Sequence, residues 1–577
     1  MDYPYFTIKT HIIKKIKNAL HHHRFPEEVK LETPPSEVAD FAFPCFSLCR
    51  FSKKSPKGTA ELIAQTIKPD NIIVSVTTLN GYINFTLNAS TLIKETIQLI
   101  HEKKETYGHL PKKGKTALIE HTSANPNGPL HVGRARNPII GDTLTRLFNA
   151  AGYEATSQFY LDDLGKQVAM LAWGMQNIVP DEQSRDRIKT DHQAVIFYQK
   201  THDLMEDNEK IRSEVGDIVK KSEQGDEDTI EKVKQAYIPV LEGIQESLSQ
   251  INIHIDSYIP ESTFVKDNSV ENIINQLQQT PYCSTEDGAS YLDLESFGVK
   301  GRNTKFFITR GDGTSLYATR DIAYHVWKAH QADRLINILG EDHKLEAKQV
   351  EICLNLLNEE RIPHPVFYAF VSLPGGKMST RRNRVVYLDD LIEESVSRAY
   401  EEVQKRRKDE LSEAQMEKIA SIIGVGAIRY NIIKVQPEKD IVFKWEEALN
   451  FEGNAAPFIQ YAHARAAGIL SKSTITITSR SINETPNLSH ESEIILTKKL
   501  ALFPQIIYDA VEGFKPHIIA SYLSELASLF NQFYRDCPVL SIKEKHIQMD
   551  RLFLVSAVKQ VIHNGLNLLG IEAPDEM

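Results

Sequence analysis

Apolar positions along this chain recur with two periods. Ala117 to Glu120, Gln158 to Leu161, Leu335 to Leu339 and Val366 to Leu373 are short, largely apolar runs of strand length. Ile140, Leu144, Leu147, Phe148 and Ala151 instead return every three or four residues, the spacing of one helical face, and Leu345 to Leu357 is helical as well. Gly152 stops the first of these helices, and Pro138 predicts a kink or interruption early in it. Strand, loop, helix, strand describes a βαβ unit with a right-handed crossover. Two such halves, separated by the polar, helix-prone stretch 175–299, predict an α/β fold with a Rossmann-type parallel sheet split by an insertion. The sheet domain is expected over 113–174 and 300–395.

The flanks follow other rules. Helical patterning in Ile12 to Leu20 and Thr59 to Ile67 accompanies β-rich runs at Ile72 to Thr77 and Tyr82 to Leu87. Asn80-Gly81 joins those runs, a strong hairpin signal, so residues 1–112 read as a small α+β domain with Phe41, Phe43 and Phe46 in its core. Beyond residue 396 no strand pattern returns. Glu417 to Ile433, Gly453 to Leu470, Ser492 to Tyr508, Ile518 to Tyr534 and Arg551 to Leu569 predict an all-α domain over 396–577.

Composition narrows the classes. The 577 residues are 41% apolar and 25% charged, which is globular and excludes collagen-like or disordered chains. No uncharged apolar run of about 18 residues exists, so no membrane span is expected. Lys and His break the first twenty residues before any signal-peptide stretch forms. Five cysteines without a CxxC pair suit free thiols in a reducing compartment. Cys45 and Cys49 have no companions for a tetrahedral site, so neither structural zinc nor another resident metal is expected. A net charge of −10 does not exclude a polyanionic partner, because basic clusters occur at 112–115, 381–384 and 405–408.

Two segments carry chemistry. Gly108 to Thr116 imitates a phosphate-binding P-loop, but it has one residue too many between its glycines and precedes a strand. The stronger case is Pro129-Leu130-His131-Val132-Gly133-Arg134, at the mouth of the first βαβ unit. A helix start there offers free N–H groups, Gly133 admits a nucleotide closely, and His131 and Arg134 share a face. At the end of the last strand comes Gly375-Gly376-Lys377-Met378-Ser379-Thr380-Arg381, a basic loop suited to a departing pyrophosphate. Carboxyl ends of the strands meet at the topological switch point, so both segments are expected at one crevice. Phosphoryl or nucleotidyl transfer by positioning and charge follows.

HVGR and KMSTR resemble the HIGH and KMSKS signatures of class I aminoacyl-tRNA synthetases. IEHTSANPNGPLHVGRARNPIIGD, GDGTSLYATRDIAY, GEDH, GGKMSTRR, FEGNAAPFIQYAHAR, FNQFYRDCPVL and GLNLLGIEAPDEM are closest to the archaeal-type arginyl-tRNA synthetases, in the family's order over nearly the whole chain. Arg134 replaces the second histidine of HIGH and Thr380 the second lysine of KMSKS, departures that bear on residue roles and not on the reaction. The resemblance implies ATP with Mg2+, L-arginine and tRNA(Arg) as partners, and a cytoplasmic monomer. It implies catalysis by His131, Arg134 and Lys377, with ATP held also by Gly133, Gly340, Asp342, Met378 and Ser379. A guanidinium needs carboxylates. The implied arginine pocket is Glu120, Asn125, Tyr317 and Asp321, against the plainer alternative that Asp321 pairs with Arg320 or Arg310 and Glu120 with Arg136. Asp342 is equally a helix cap. The terminal domains imply tRNA contacts by Asn84, Tyr461, Arg465, Tyr534 and Met577, although aromatic stripes are commonly core. A class I synthetase for another amino acid, or a non-catalytic tRNA-binding relative, stands beside this expectation.

Overall fold

The computed structural model describes residues 3–32, 34, 39–179, 187–301, 304–372, 386–475 and 488–577. Its centre is a five-stranded parallel sheet of β1 (Thr116–Glu120), β2 (Glu154–Leu161), β3 (Ser257–Pro260), β4 (Arg334–Gly340) and β5 (His364–Tyr368). The spatial order is β5-β4-β1-β2-β3, so the order in which strands are added switches sides between β1 and β4, the topological switch point of the parallel sheet. Ala117, Leu118, Ile119, Ile336 and Ile338 are buried, as strands covered on both faces require.

Helix α1 (Arg136–Ala150) connects β1 to β2 and buries Ile139, Ile140, Leu144, Leu147 and Phe148. Pro138 does not interrupt it. It is the third helical residue, where a backbone N–H has no intrahelical acceptor to lose. Ahead of it, Val132–Arg134 forms a separate 3-10 turn. The stretch 175–299 is also not a single block outside the sheet, because it contains β3. Four residues ending in proline gave that strand too little pattern to be read. The expected strand Val366 to Leu373 is split: β5 stays in the sheet, Val371–Ser372 pairs with Ile441–Val442, and Leu373 lies outside the described residues.

Within the insertion, α2 (Thr190–Asp207) packs along α3 (Glu227–Gln250). A small antiparallel sheet follows, then α4 (Tyr317–Ala329) before β4 and α5 (Lys344–Leu356) after it. The C-terminal helices are α6 (Leu388–Arg407), α7 (Glu413–Ile433), α8 (Ala456–Ser471), α9 (Glu491–Glu512), α10 (His517–Asp536) and α11 (Lys545–Leu568). Their apolar faces share one core with the sheet. The junction is polar where it matters: Arg429 of α7, 0% exposed, donates to the carbonyls of Leu569 at 2.6 Å and Ile251 at 2.7 Å and pairs with Asp142 of α1.

In the N-terminal part, Phe41–Pro44, Tyr82–Leu87 and Ile73–Leu79 form a sheet in that order, against helices Pro4–His22 and Pro56–Ala64. Asn80 (φ 50°) and Gly81 (φ 87°) both take left-handed backbone, as a two-residue hairpin turn of this hand demands. Phe41 and Phe43 are core, but Phe46 is 47% exposed on a 3-10 turn.

Candidate active site

The central strands carry a polar row. Glu120, the last residue of β1, sits opposite Asn337 of β4 and Gln158 of β2, and all three are buried. Polar groups inside a parallel sheet must be satisfied by whatever packs on them. Helix α4 does so with Asp321, Tyr324, His325 and Lys328, spaced i, i+3, i+4, i+7 on one face. Tyr324 Oη donates to Gln158 Oε1 at 2.9 Å, and Lys328 Nζ to Glu120 Oε2 at 2.5 Å. Lys328 Nζ also donates to Asn337 Oδ1 at 2.6 Å, and Asn337 Nδ2 lies 2.8 Å from His325 Nε2. Thr122 (φ 70°) and Ser123 (φ 36°) turn the chain back over the end of β1, so that Ser123 Oγ donates to Glu120 Oε1 at 3.2 Å.

Glu120 and Asp321 meet on one cavity of about 250 Å³, also lined by His325, Asn337 and His343. Burial works against the Asp321 carboxylate, but His325 and Lys328 outweigh it and hold the group below its ordinary 3.8. It is ionised at neutral pH. The plainer pairings are not made: Arg136 is spent on the carbonyls of Ala369, Gln436 and Lys439, while Arg320 pairs with Glu261 and Glu223, and Arg310 with Glu223. Glu120 is paired nonetheless, with Lys328. Tyr317 opens α4 one turn before Asp321, is 61% exposed and is not in the cavity wall. Asn125 turns its amide to Gln167 Oε1 at 2.9 Å. Lys328, His325, Asn337, Gln158 and Ser123 belong to no motif in the sequence, and only the helical spacing of 321, 324, 325 and 328 signals part of the set.

His131 precedes the 3-10 turn, not a full helix, and Arg134 at its end is exposed. Val132 N donates to Val386 O at 3.1 Å and Leu388 N to Leu130 O at 2.7 Å, placing the Tyr387 ring edge-on to His131 with centroids 5.7 Å apart. Val371–Ser372 packs on the same turn. Lys377, Met378 and Ser379 lie outside the described residues, but the chain leaves and returns beside His131. Burial, then Arg134, lowers the His131 pKa below 6.5, so the ring is neutral at pH 7, and its Nδ1 is buried with no hydrogen-bond partner among the described residues. Gly340 ends β4, and Asp342 lies on the next turn with its side chain 60% exposed and caps no helix with it.

A second cavity, of about 890 Å³, lies between the C-terminal helices and is lined by Tyr461, Arg465, Tyr534 and Met577 with Arg406 and Arg407. Arg465 stands over the Tyr461 and Tyr534 rings at 4.7 and 5.2 Å. Asn84 belongs to neither cavity. It is 3% exposed on the middle strand of its sheet, opposite Ala42 and Thr77 and on the face away from the core residues Ile83 and Phe85. Asp191, His192 and Asp389 gather ligand-type atoms between α2 and α6, but the Lys189 ammonium already sits among them, 2.9 Å from Asp389 and 3.2 Å from Asp191.

Known proteins agree along the whole chain. The family model described as tRNA synthetases class I (R), catalytic domain, matches residues 96–445. The DALR anticodon binding domain matches 459–577, and the arginyl tRNA synthetase N terminal domain 7–87. An arginine–tRNA ligase of Methanocella arvoryzae is 44% identical, covering 92% of both chains. That of Methanocaldococcus jannaschii is 39% identical over 99% of this chain and 100% of its own. Among solved structures, Thermus thermophilus arginyl-tRNA synthetase matches with a TM-score of 0.83 at 26% identity, covering 98% of this chain and 100% of that one. With its central sheet and helical C-terminal part matched along with its sequence, the chain belongs to the arginyl-tRNA synthetase family of class I aminoacyl-tRNA ligases.

Proposed function

We propose that the chain joins L-arginine to tRNA(Arg) in two steps, as a cytoplasmic monomer. In the first, an arginine carboxylate oxygen attacks the α-phosphorus of Mg–ATP in line and pyrophosphate leaves. In the second, a terminal ribose hydroxyl of the tRNA attacks the activated carbonyl and AMP leaves. Both steps rely on positioning and charge, without a covalent protein intermediate. The observation that carries the proposal is the pair Glu120 and Asp321 on one small cavity at the switch point, where a planar cation can be bound from two sides.

In this scheme Glu120, Asp321 and Tyr317 hold the side chain of arginine and Asn125 serves its α-amino group. His131, neutral and able to donate, and Arg134 steady the charge gathering on phosphorus. Lys377 serves the departing phosphates. Gly133, Met378 and Ser379 line the nucleotide, with Gly340 and Asp342 at its ribose. The test is pyrophosphate exchange with a panel of amino acids, with and without tRNA. Exchange is expected with arginine and to require tRNA. Exchange with another amino acid alone, or salt-sensitive tRNA binding with no exchange, refutes the proposal.

Tyr461, Arg465, Tyr534 and Met577 offer stacking faces, a cation and a thioether to unstacked anticodon bases. Losing one stacking face costs about 1–3 kcal/mol, so Tyr534→Ala is expected to raise the KM for tRNA roughly tenfold. The KM values for arginine and ATP stay put. An unchanged KM for tRNA removes Tyr534 from the contact surface.

A further inference from the structure

We propose that Lys328 is a positioning residue that sets the arginine pocket at one net negative charge, matched to a single guanidinium. The proposal rests on the assignment of Glu120 and Asp321 to arginine made above.

Five side chains form an unbroken chain from one carboxylate to the other: Glu120, Lys328, Asn337, His325 and Asp321. Lys328 is 0% exposed, with its ammonium 4.8 Å from the Tyr324 ring centre, so it has no route to water. Burial lowers its pKa from the ordinary 10.5, and Glu120 and Asp321 oppose that shift. An ammonium can only donate, so Asn337 must turn its carbonyl oxygen to Lys328 and its NH2 to His325. An amide NH2 also only donates, which makes His325 Nε2 the acceptor and puts the ring proton on Nδ1, which is 2.8 Å from the Asp321 main-chain carbonyl and 3.2 Å from Asp321 Oδ1. This pattern leaves the ring a single proton, and it acts on Asp321 through the hydrogen bond it donates.

The cavity wall also carries Lys344 and Lys348 with Glu346 and Glu351, two of each sign, so what remains is two carboxylates against one ammonium. Lys328 balances Glu120, and the charge left over is answered by one cation entering the cavity. A neutral ligand of the same shape leaves the Asp321 charge covered and unanswered, and a dication leaves a positive one. The sequence already places this ammonium on the α4 face that carries Asp321, two turns further along.

The decisive comparison is Glu120→Gln against Glu120→Gln/Lys328→Met, reading the KM for arginine with the KM for ATP as internal control. The single substitution leaves a buried ammonium unbalanced beside the bound guanidinium, and is expected to raise the KM for arginine roughly 100-fold. Adding Lys328→Met removes the repulsion and is expected to recover roughly tenfold of that loss, a coupling of opposite sign to two independent defects. The double variant replaces a buried ion pair as a unit, a change that folds tolerate, and circular dichroism checks this. A purely structural Lys328 makes the double variant equal to or worse than the single one, and that result overturns the proposal. If Glu120→Gln alone binds arginine like the wild type, the pocket assignment has failed instead.

Discussion

Asp321→Asn is expected to lower kcat/KM for arginine roughly 10^3-fold, the scale of removing one partner from a desolvated, hydrogen-bonded charge pair. The substitution keeps the shape of the side chain and deletes its charge. His325 Nδ1 keeps the main-chain carbonyl of residue 321 at 2.8 Å but loses the anion 3.2 Å away, and the cavity loses the charge that Lys328 does not balance. The loss should fall on arginine alone, because ATP is assigned to the HVGR turn and the end of β4. Aminoacylation kinetics with each substrate varied in turn check this. A variant within threefold of the wild type would remove Asp321 from the pocket. Because Asp321 is held below 3.8, its own titration should not shape the activity profile above about pH 4.

The second large effect concerns stability. Arg429→Ala is expected to cost about 3–5 kcal/mol, the penalty for breaking a buried ion pair from one side. The guanidinium serves α1 through Asp142, the insertion through Ile251, and the C-terminal segment through Leu569. Truncation orphans two carbonyls and leaves Asp142 with Arg146 alone, at 2.9 Å. Chemical denaturation should show the loss, and Arg429→Lys should recover only part of it, since an ammonium cannot span three acceptors as a fork does. A midpoint unchanged in Arg429→Ala would refute the assigned role. The same pair predicts acid sensitivity. Burial disfavours the Asp142 carboxylate, yet Arg429 and Arg146 prevail and hold its pKa below 3.8 in the fold. Its contribution is complete above 3.8 and is lost as pH falls through the lower folded value.

Much of the fold was legible because long apolar periods leave few alternatives. Parallel strands buried on both faces, the α1 face of Ile140, Leu144, Leu147 and Phe148, and the Asn80-Gly81 turn all stand where periodicity puts them. The misreadings share a cause: local pattern does not reveal tertiary partners. β3 is four residues long and is a strand because β2 lies beside it. Phe46 is apolar but falls where the chain turns outward. Asn84 was expected at the surface from the family resemblance alone, whereas it is buried in the middle strand of its sheet. At the site, Glu120 and Asp321 were legible from a family pattern, and the groups linking them were not. Lys328 and Asn337 are ordinary residues in sequence. Pairing of β4 with β1 puts Asn337 beside Glu120, and the packing of α4 on that row brings Lys328 to it.

That polar row across β2, β1 and β4 also bears on how the molecule would respond to selection. Glutamine, glutamate and asparagine occupy the place where aliphatic side chains would give the most cohesion. Swapping the row and its lysine for leucine and valine would therefore yield a hardier scaffold with no amino acid to load. Screens that reward heat resistance alone should drift toward such inert sequences, and only a growth requirement for charged tRNA would hold the row in place.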